Sequence, residues 1–232
     1  RRASRLRLFT LTAAATGQAS YFQSNSHVMD ATYTGIAGLR LESYAFLLDL
    51  SAPGYAGLPV QTAATAKLST ATYGGRGDYS VPLDKDFSAK FSGEFAHQTN
   101  YAANPIHFGL NYWLGEASLS WQGVTGLAGY EALGGNGSIG FSTPLATLHI
   151  FNGWADQFLT TPTNGLKDLY LKANYSLPMN AFAMKALNMS VAWHDFKTDA
   201  LSKGIGGEWD MQGELVVNGN LSFLAKYADY AG

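Results

Sequence analysis

Alternation with a period of two residues constrains this chain more than any other feature. From Phe87 to Ala96, Phe87, Ala89, Phe91, Gly93 and Phe95 fall on one parity, and Ser88, Lys90, Ser92, Glu94 and Ala96 on the other. From Asp168 to Leu177, Leu169, Leu171, Ala173, Tyr175 and Leu177 oppose Asp168, Tyr170, Lys172, Asn174 and Ser176. From Leu221 to Tyr227, Leu221, Phe223, Ala225 and Tyr227 oppose Ser222, Leu224 and Lys226. Successive side chains of a strand point to opposite faces, so each segment predicts an extended strand whose two faces meet different media. Helical periodicity is nearly absent, and the expected class is all-β.

Weaker alternation predicts further strands at Arg5–Ala14, His27–Ala37, Leu39–Leu50, Lys67–Val81, Asn111–Gln122, Val124–Leu133, Ala186–Phe196 and Gly206–Val217. The total of about eleven suits a meander of roughly ten-residue spans. Gln122-Gly123, Pro82 to Lys85 and Val217 to Asn220 have the composition of hairpin turns. Longer connections are expected near 51–66, 98–110 and 134–165. Tight turns alternating with long loops is the asymmetry of an outer-membrane barrel.

Composition narrows the choice of medium. Only 14% of the 232 residues are charged, against a usual quarter or so, while 26 Gly, 13 Tyr, 13 Phe and 5 Trp make disorder untenable. Mean hydropathy is -0.05, and no apolar run reaches the roughly 20 residues of a spanning helix. A net charge of -2 offers no basic surface for nucleic acid. Cys is absent, which excludes disulfides, thiolate chemistry and Cys-ligated zinc. A transmembrane β-barrel and a soluble sandwich or barrel both remain open on these grounds.

Aromatic placement favours the membrane. Trp113 and Trp121 share a parity, with Gly115, Ala117 and Leu119 between them. Eight residues at roughly 3.3 Å each, on a tilted strand, separate the two rings by ~20 Å along the membrane normal, near the height of an apolar band. Tyr73 and Tyr79 form a shorter bracket. Phe87, Phe91, Phe95, Trp113, Trp121, Leu169, Leu171, Tyr175, Leu221 and Phe223 are therefore expected to face lipid. Arg40, Glu42, Arg76, Asp78, Lys90, Glu94, Glu116, Asp168, Lys172, Glu214 and Lys226 are expected to line a water-filled lumen.

The stretch from Gly129 to Leu177 resembles the alginate-export-like family of bacterial outer-membrane porins. The matching residues are Gly129 to Gly137, Phe141 to His149, Asn152 to Phe158 and Leu159 to Gly165. Patchier likeness occurs at Ser26 to Val28, Ala31 to Gly35, Glu94 to Gln98, Trp193 to Phe196 and Lys226 to Tyr230. The resemblance implies a many-stranded barrel that passes solutes across the outer membrane. It also implies a terminal strand ending in an aromatic residue. The chain opens without Met, and Tyr227 to Gly232 reads as a strand entering a turn, so part of a larger barrel is expected. A conduit for polyanions calls for Arg and Lys. The inward set here carries both signs, so small hydrophilic solutes or an oligosaccharide are the expected cargo, with outer-membrane lipid as the other partner.

Other chemistry is weakly supported. Gly135 to Gly140 matches a dinucleotide fingerprint in letters only, without the strand-to-helix setting and with Pro144 following. Arg76-Gly77-Asp78 lies inside a strand pattern. The five His residues lack ligand spacing, and His194 and Asp195 point to opposite faces. Catalytic residues, metal ligands and cofactors are expected to be none.

The 134–165 connection carries Phe141, His149, Phe151, Trp154 and Phe158 with Asp156 as its one acid and no Lys or Arg. So apolar a loop needs burial, either as a cap on the barrel rim or as a constriction inside the lumen. In the second case Asn152, Asp156 and His149 would meet solute, and Asn152 to Thr160 could form one helical turn. The reading is a passive outer-membrane porin or exporter and not an enzyme. A plugged barrel that binds proteins, or a soluble all-β carbohydrate-binding protein, are its rivals.

Overall fold

A computed structural model describes residues 24–50, 67–144, 152–179 and 184–232. They form ten strands: β1 (His27–Ile36), β2 (Leu39–Leu48), β3 (Thr70–Pro82), β4 (Phe87–Asn100), β5 (Gly109–Trp121), β6 (Val124–Leu133), β7 (Leu166–Pro178), β8 (Ala186–Lys197), β9 (Gly204–Asn218) and β10 (Leu221–Ala231). They make one sheet in sequence order, and every neighbouring pair is antiparallel. This is an up-and-down meander, as the alternation predicts. The expected strand Arg5–Ala14 lies outside the described residues.

Connection lengths alternate. At one end lie Ala37-Gly38, Leu83 to Asp86, Gln122-Gly123, Gly219-Asn220 and the 179–185 link. At the other lie 49–69, 101–108, 134–165 and 198–203. The 98–110 connection is shorter than expected because β4 runs on to Asn100 and β5 begins at Gly109. Gln122 and Gly123 take φ of 44° and 85°, the pair of left-handed residues that a two-residue turn needs to match strand twist.

The registers gather most charged residues on one face and most large exposed apolar ones on the other, with Asp195, Lys197, Lys167 and Asp229 as charged exceptions on the apolar parity. Direct cross-strand partners share a face, so a row can be followed from Arg40 through Asp78, Ser92, Glu116, Gly129, Tyr170, His194 and Glu208 to Tyr230, crossing from β2 to β10 without a break. That face is polar. The opposite face is apolar and open: Trp113 is 55% exposed, Trp121 53% and Phe91 49%. The main apolar cluster lies on the polar side, near the long-loop end, where Phe141 of the 134–165 connection packs with Ala96, Leu110, Leu133, Leu166 and Phe196. Among the described residues, β1 and β10 each have a partner on one side only.

Candidate functional site

The polar face divides into two regions. The first spans β2 to β5 and is built around Arg76. Its guanidinium grips Asp78 with two N–H donors, Nε to Oδ2 at 3.1 Å and Nη2 to Oδ1 at 3.0 Å. Nη1 donates to Glu94 Oε2 at 3.1 Å, and Glu116 lies 3.7 Å from Nη2. Lys90 approaches Asp78 at 3.5 Å, Ser92 donates to it at 2.7 Å, and Arg40 pairs with Glu42. Alternate residues of adjacent strands supply all of these groups, which is why charges far apart in sequence meet. Each cation here has a carboxylate within reach, and the region is partly open to water.

Tyrosines fasten the strands on this face. Tyr44 on β2 lies over Gly74 on β3 and donates to Glu94 on β4 at 2.5 Å. Tyr170 on β7 lies over Gly129 on β6 and donates to Glu116 on β5 at 2.7 Å. Both rings lie where a Cβ on the glycine would be, so a ring can cross a strand only above a residue without a side chain. Tyr112 donates to Glu131 at 2.7 Å.

The second region spans β6 to β9 near the long-loop end. His194 Nδ1 lies 2.9 Å from Asp168 Oδ2, its Nε2 lies 3.7 Å from Asp210 Oδ2, and both acids are buried. Glu208 is also fully buried. Residues 152–155 cover this cluster. Asn152 Nδ2 donates to Glu131 Oε2 at 2.7 Å, the Trp154 N–H to Asp210 at 3.2 Å, and the Ala155 N–H to Glu208 Oε1 at 2.7 Å. Phe158 packs on Phe196 with ring centres 4.7 Å apart, and Lys226 Nζ sits 4.7 Å from the Trp154 ring centre. The described part of the connection therefore folds back over the polar face. Burial of Phe141 contributes about 1.5–3 kcal/mol toward keeping it there, and the half-buried Phe158 contributes less.

The structure places every expected lumen residue, Arg40 through Lys226, on the polar face and every expected lipid residue on the apolar one. Asp168 is buried on that face, where it meets His194. Phe141 packs against the sheet beside Tyr112, with ring centres 5.7 Å apart. Asn152 to Thr160 forms turns instead of a helical turn, since Asn152, Gly153 and Asp156 have φ of 54°, 87° and 56°. His149 and Phe151 lie outside the described residues. His194 and Asp195 do point apart: Asp195 pairs with Lys197 on the apolar parity at 2.8 Å. Glu131, Glu208 and Asp210 escaped the sequence reading. The alternation Glu208, Asp210, Gln212, Glu214 on one parity was the signal for two of them.

A meander polar on one face and apolar and aromatic on the other has the two-faced pattern of an outer-membrane β-barrel wall. Solved porin structures share the fold. OprD from Pseudomonas aeruginosa is 16% identical with a TM-score of 0.55, covering 87% of this chain and 62% of that one. OpdL from Pseudomonas aeruginosa is 14% identical with a TM-score of 0.60, covering 93% and 57%. OccAB2 from Acinetobacter baumannii is 12% identical with a TM-score of 0.62, covering 88% and 48%. The chain thus spans roughly half the length of these porins. No family model matches the chain, and no curated protein matches it. The porin fold implied by the resemblance stands, and its narrower assignment to the alginate-export-like family gains no support.

Proposed function

We propose that these strands form part of the wall of a channel in the outer membrane of a Gram-negative bacterium, passing small hydrophilic solutes by diffusion. One observation carries the reading: charges from β2 to β10 gather on one face while Trp113, Trp121, Phe91 and Phe223 stand exposed on the other. So large an exposed apolar surface is unsuited to water and suited to lipid. It argues against the soluble carbohydrate-binding reading. Among the described residues β1 and β10 have one partner each, and in lipid their outer edges would need pairing, because unpaired backbone groups there cost several kcal/mol each.

On this reading the polar face lines the lumen, and the loop segment 152–165 narrows it. Solutes meet a passage with both signs of charge, and an oligosaccharide is a second cargo that such a polar wall can accept. No chemical step is assigned; the protein acts as a conduit and not as an enzyme. Planar-bilayer recording of the full-length protein tests this. Stepwise, solute-permeable conductance is expected. A folded, detergent-dependent protein that stays silent would identify the plugged, protein-binding barrel, and a protein soluble without detergent would overturn the membrane reading.

A further inference from the structure

We infer that Glu131, Glu208 and Asp210 form a latch on the wall that holds loop segment 152–158 against it and thereby sets the width of the passage. This rests on the channel reading above. The three carboxylates stand on two separated strands, β6 and β9, on either side of Asp168 and His194. Each receives a donor from a nearly continuous stretch of loop: the Asn152 side chain, then the Trp154 and Ala155 N–H groups. Gly153 lies so close that a Cβ there would sit 2.6 Å from the Glu208 carboxylate carbon.

Local geometry points the same way. Asn152, Gly153 and Asp156 all take left-handed conformations, and no strand or helix hydrogen bonding holds the segment. For non-glycine residues such backbone is unfavourable, so contacts outside the segment must stabilise it. Hydrogen bonds to charged acceptors are strong enough to do so. The aromatic contacts of Phe158 anchor only the far end. Lys226 and Lys172 are the cationic side chains on the polar face beside this region, and both lie over rings, of Trp154 and Tyr170. Glu131 also accepts from Tyr112, whereas Glu208 and Asp210 are met by the loop N–H groups and, for Asp210, by His194.

The test uses the full-length protein, whose described chain has no native cysteine. Ala155→Cys retains its N–H and reports loop release through its reaction with a water-soluble methanethiosulfonate. Conductance reports the width. Removing acceptors with Glu208→Ala plus Asp210→Ala is expected to speed labelling about tenfold or more, the loss of at least one charge-assisted hydrogen bond. It should also move conductance to that of a protein in which 152–160 is replaced by a short Gly-Ser linker. Glu208→Gln plus Asp210→Asn keeps an acceptor oxygen at each position and should rescue slow labelling. Should the alanine pair fail to fold, Asn152→Gly removes a loop-side donor with the wall intact and should act in the same direction, more weakly. Wild-type labelling and conductance in the alanine pair or in Asn152→Gly, beside a widened linker variant, overturn the latch. An unchanged linker variant overturns the constriction reading itself, and the latch with it.

Discussion

The Arg76 region and the His194 region lie on one face of one sheet, joined by a single cross-strand row, yet they solve the problem of charge differently. Around Arg76, side chains neutralise side chains, and water reaches most of them. Around His194, the described ion pairs bring no Lys or Arg to Glu131, Asp168, Glu208 or Asp210, and the loop supplies donors in their place. Charge that partners can satisfy within the wall leaves the wall bare. Charge in excess of its partners draws a covering segment. On the channel reading, that difference sets where the passage would be open and where it would be narrow.

Breaking the buried region should have the largest effect. His194→Ala leaves Asp168 buried without its partner and is expected to cost about 3–5 kcal/mol, read as a lower unfolding midpoint in urea. Phe91→Arg asks whether the two regions truly share a wet face. It should cost about 2–4 kcal/mol in a lipid bilayer if Phe91 faces lipid near the midplane, and far less if that face meets water. Arg76→Gln, by contrast, should change stability by only about 1 kcal/mol, since its pairs are partly solvated. Its larger consequence is on selectivity. Carboxylates already outnumber cationic side chains on the described polar face, so the wild-type channel should prefer cations, and Arg76→Gln should deepen that preference in reversal-potential measurements. Lys90→Gln, on the wet face one residue from Phe91, should leave the unfolding midpoint unchanged.

The two faces were legible in the sequence because a strand has an exact period: Phe91 against Lys90 and Leu171 against Lys172 fix parity with no knowledge of neighbours. Tight turns at Gln122-Gly123 and Gly219-Asn220 were legible too, since their composition follows from backbone conformation. What parity cannot supply is register. His194 meets Asp168, 26 residues away, only because β7 and β8 pair Tyr170 with His194. The loop's need for burial was visible in Phe141, Trp154 and Phe158, but its landing place was not. That place depends on Glu131, Glu208 and Asp210, which sit on strands whose alignment the sequence leaves open.

On the channel reading proposed above, the flat tyrosines carry a consequence for bore. Tyr170 adds a ring to the wall yet takes up little of the interior, because Gly129 lets it recline across the neighbouring strand toward Glu116. Add one methyl at Gly129 and the ring has nowhere to lie; it must rise from the wall into the passage. A substitution on the sheet, without touching any loop, would then act as a throttle, and the inner diameter of such a channel depends on its smallest residues as much as on its largest.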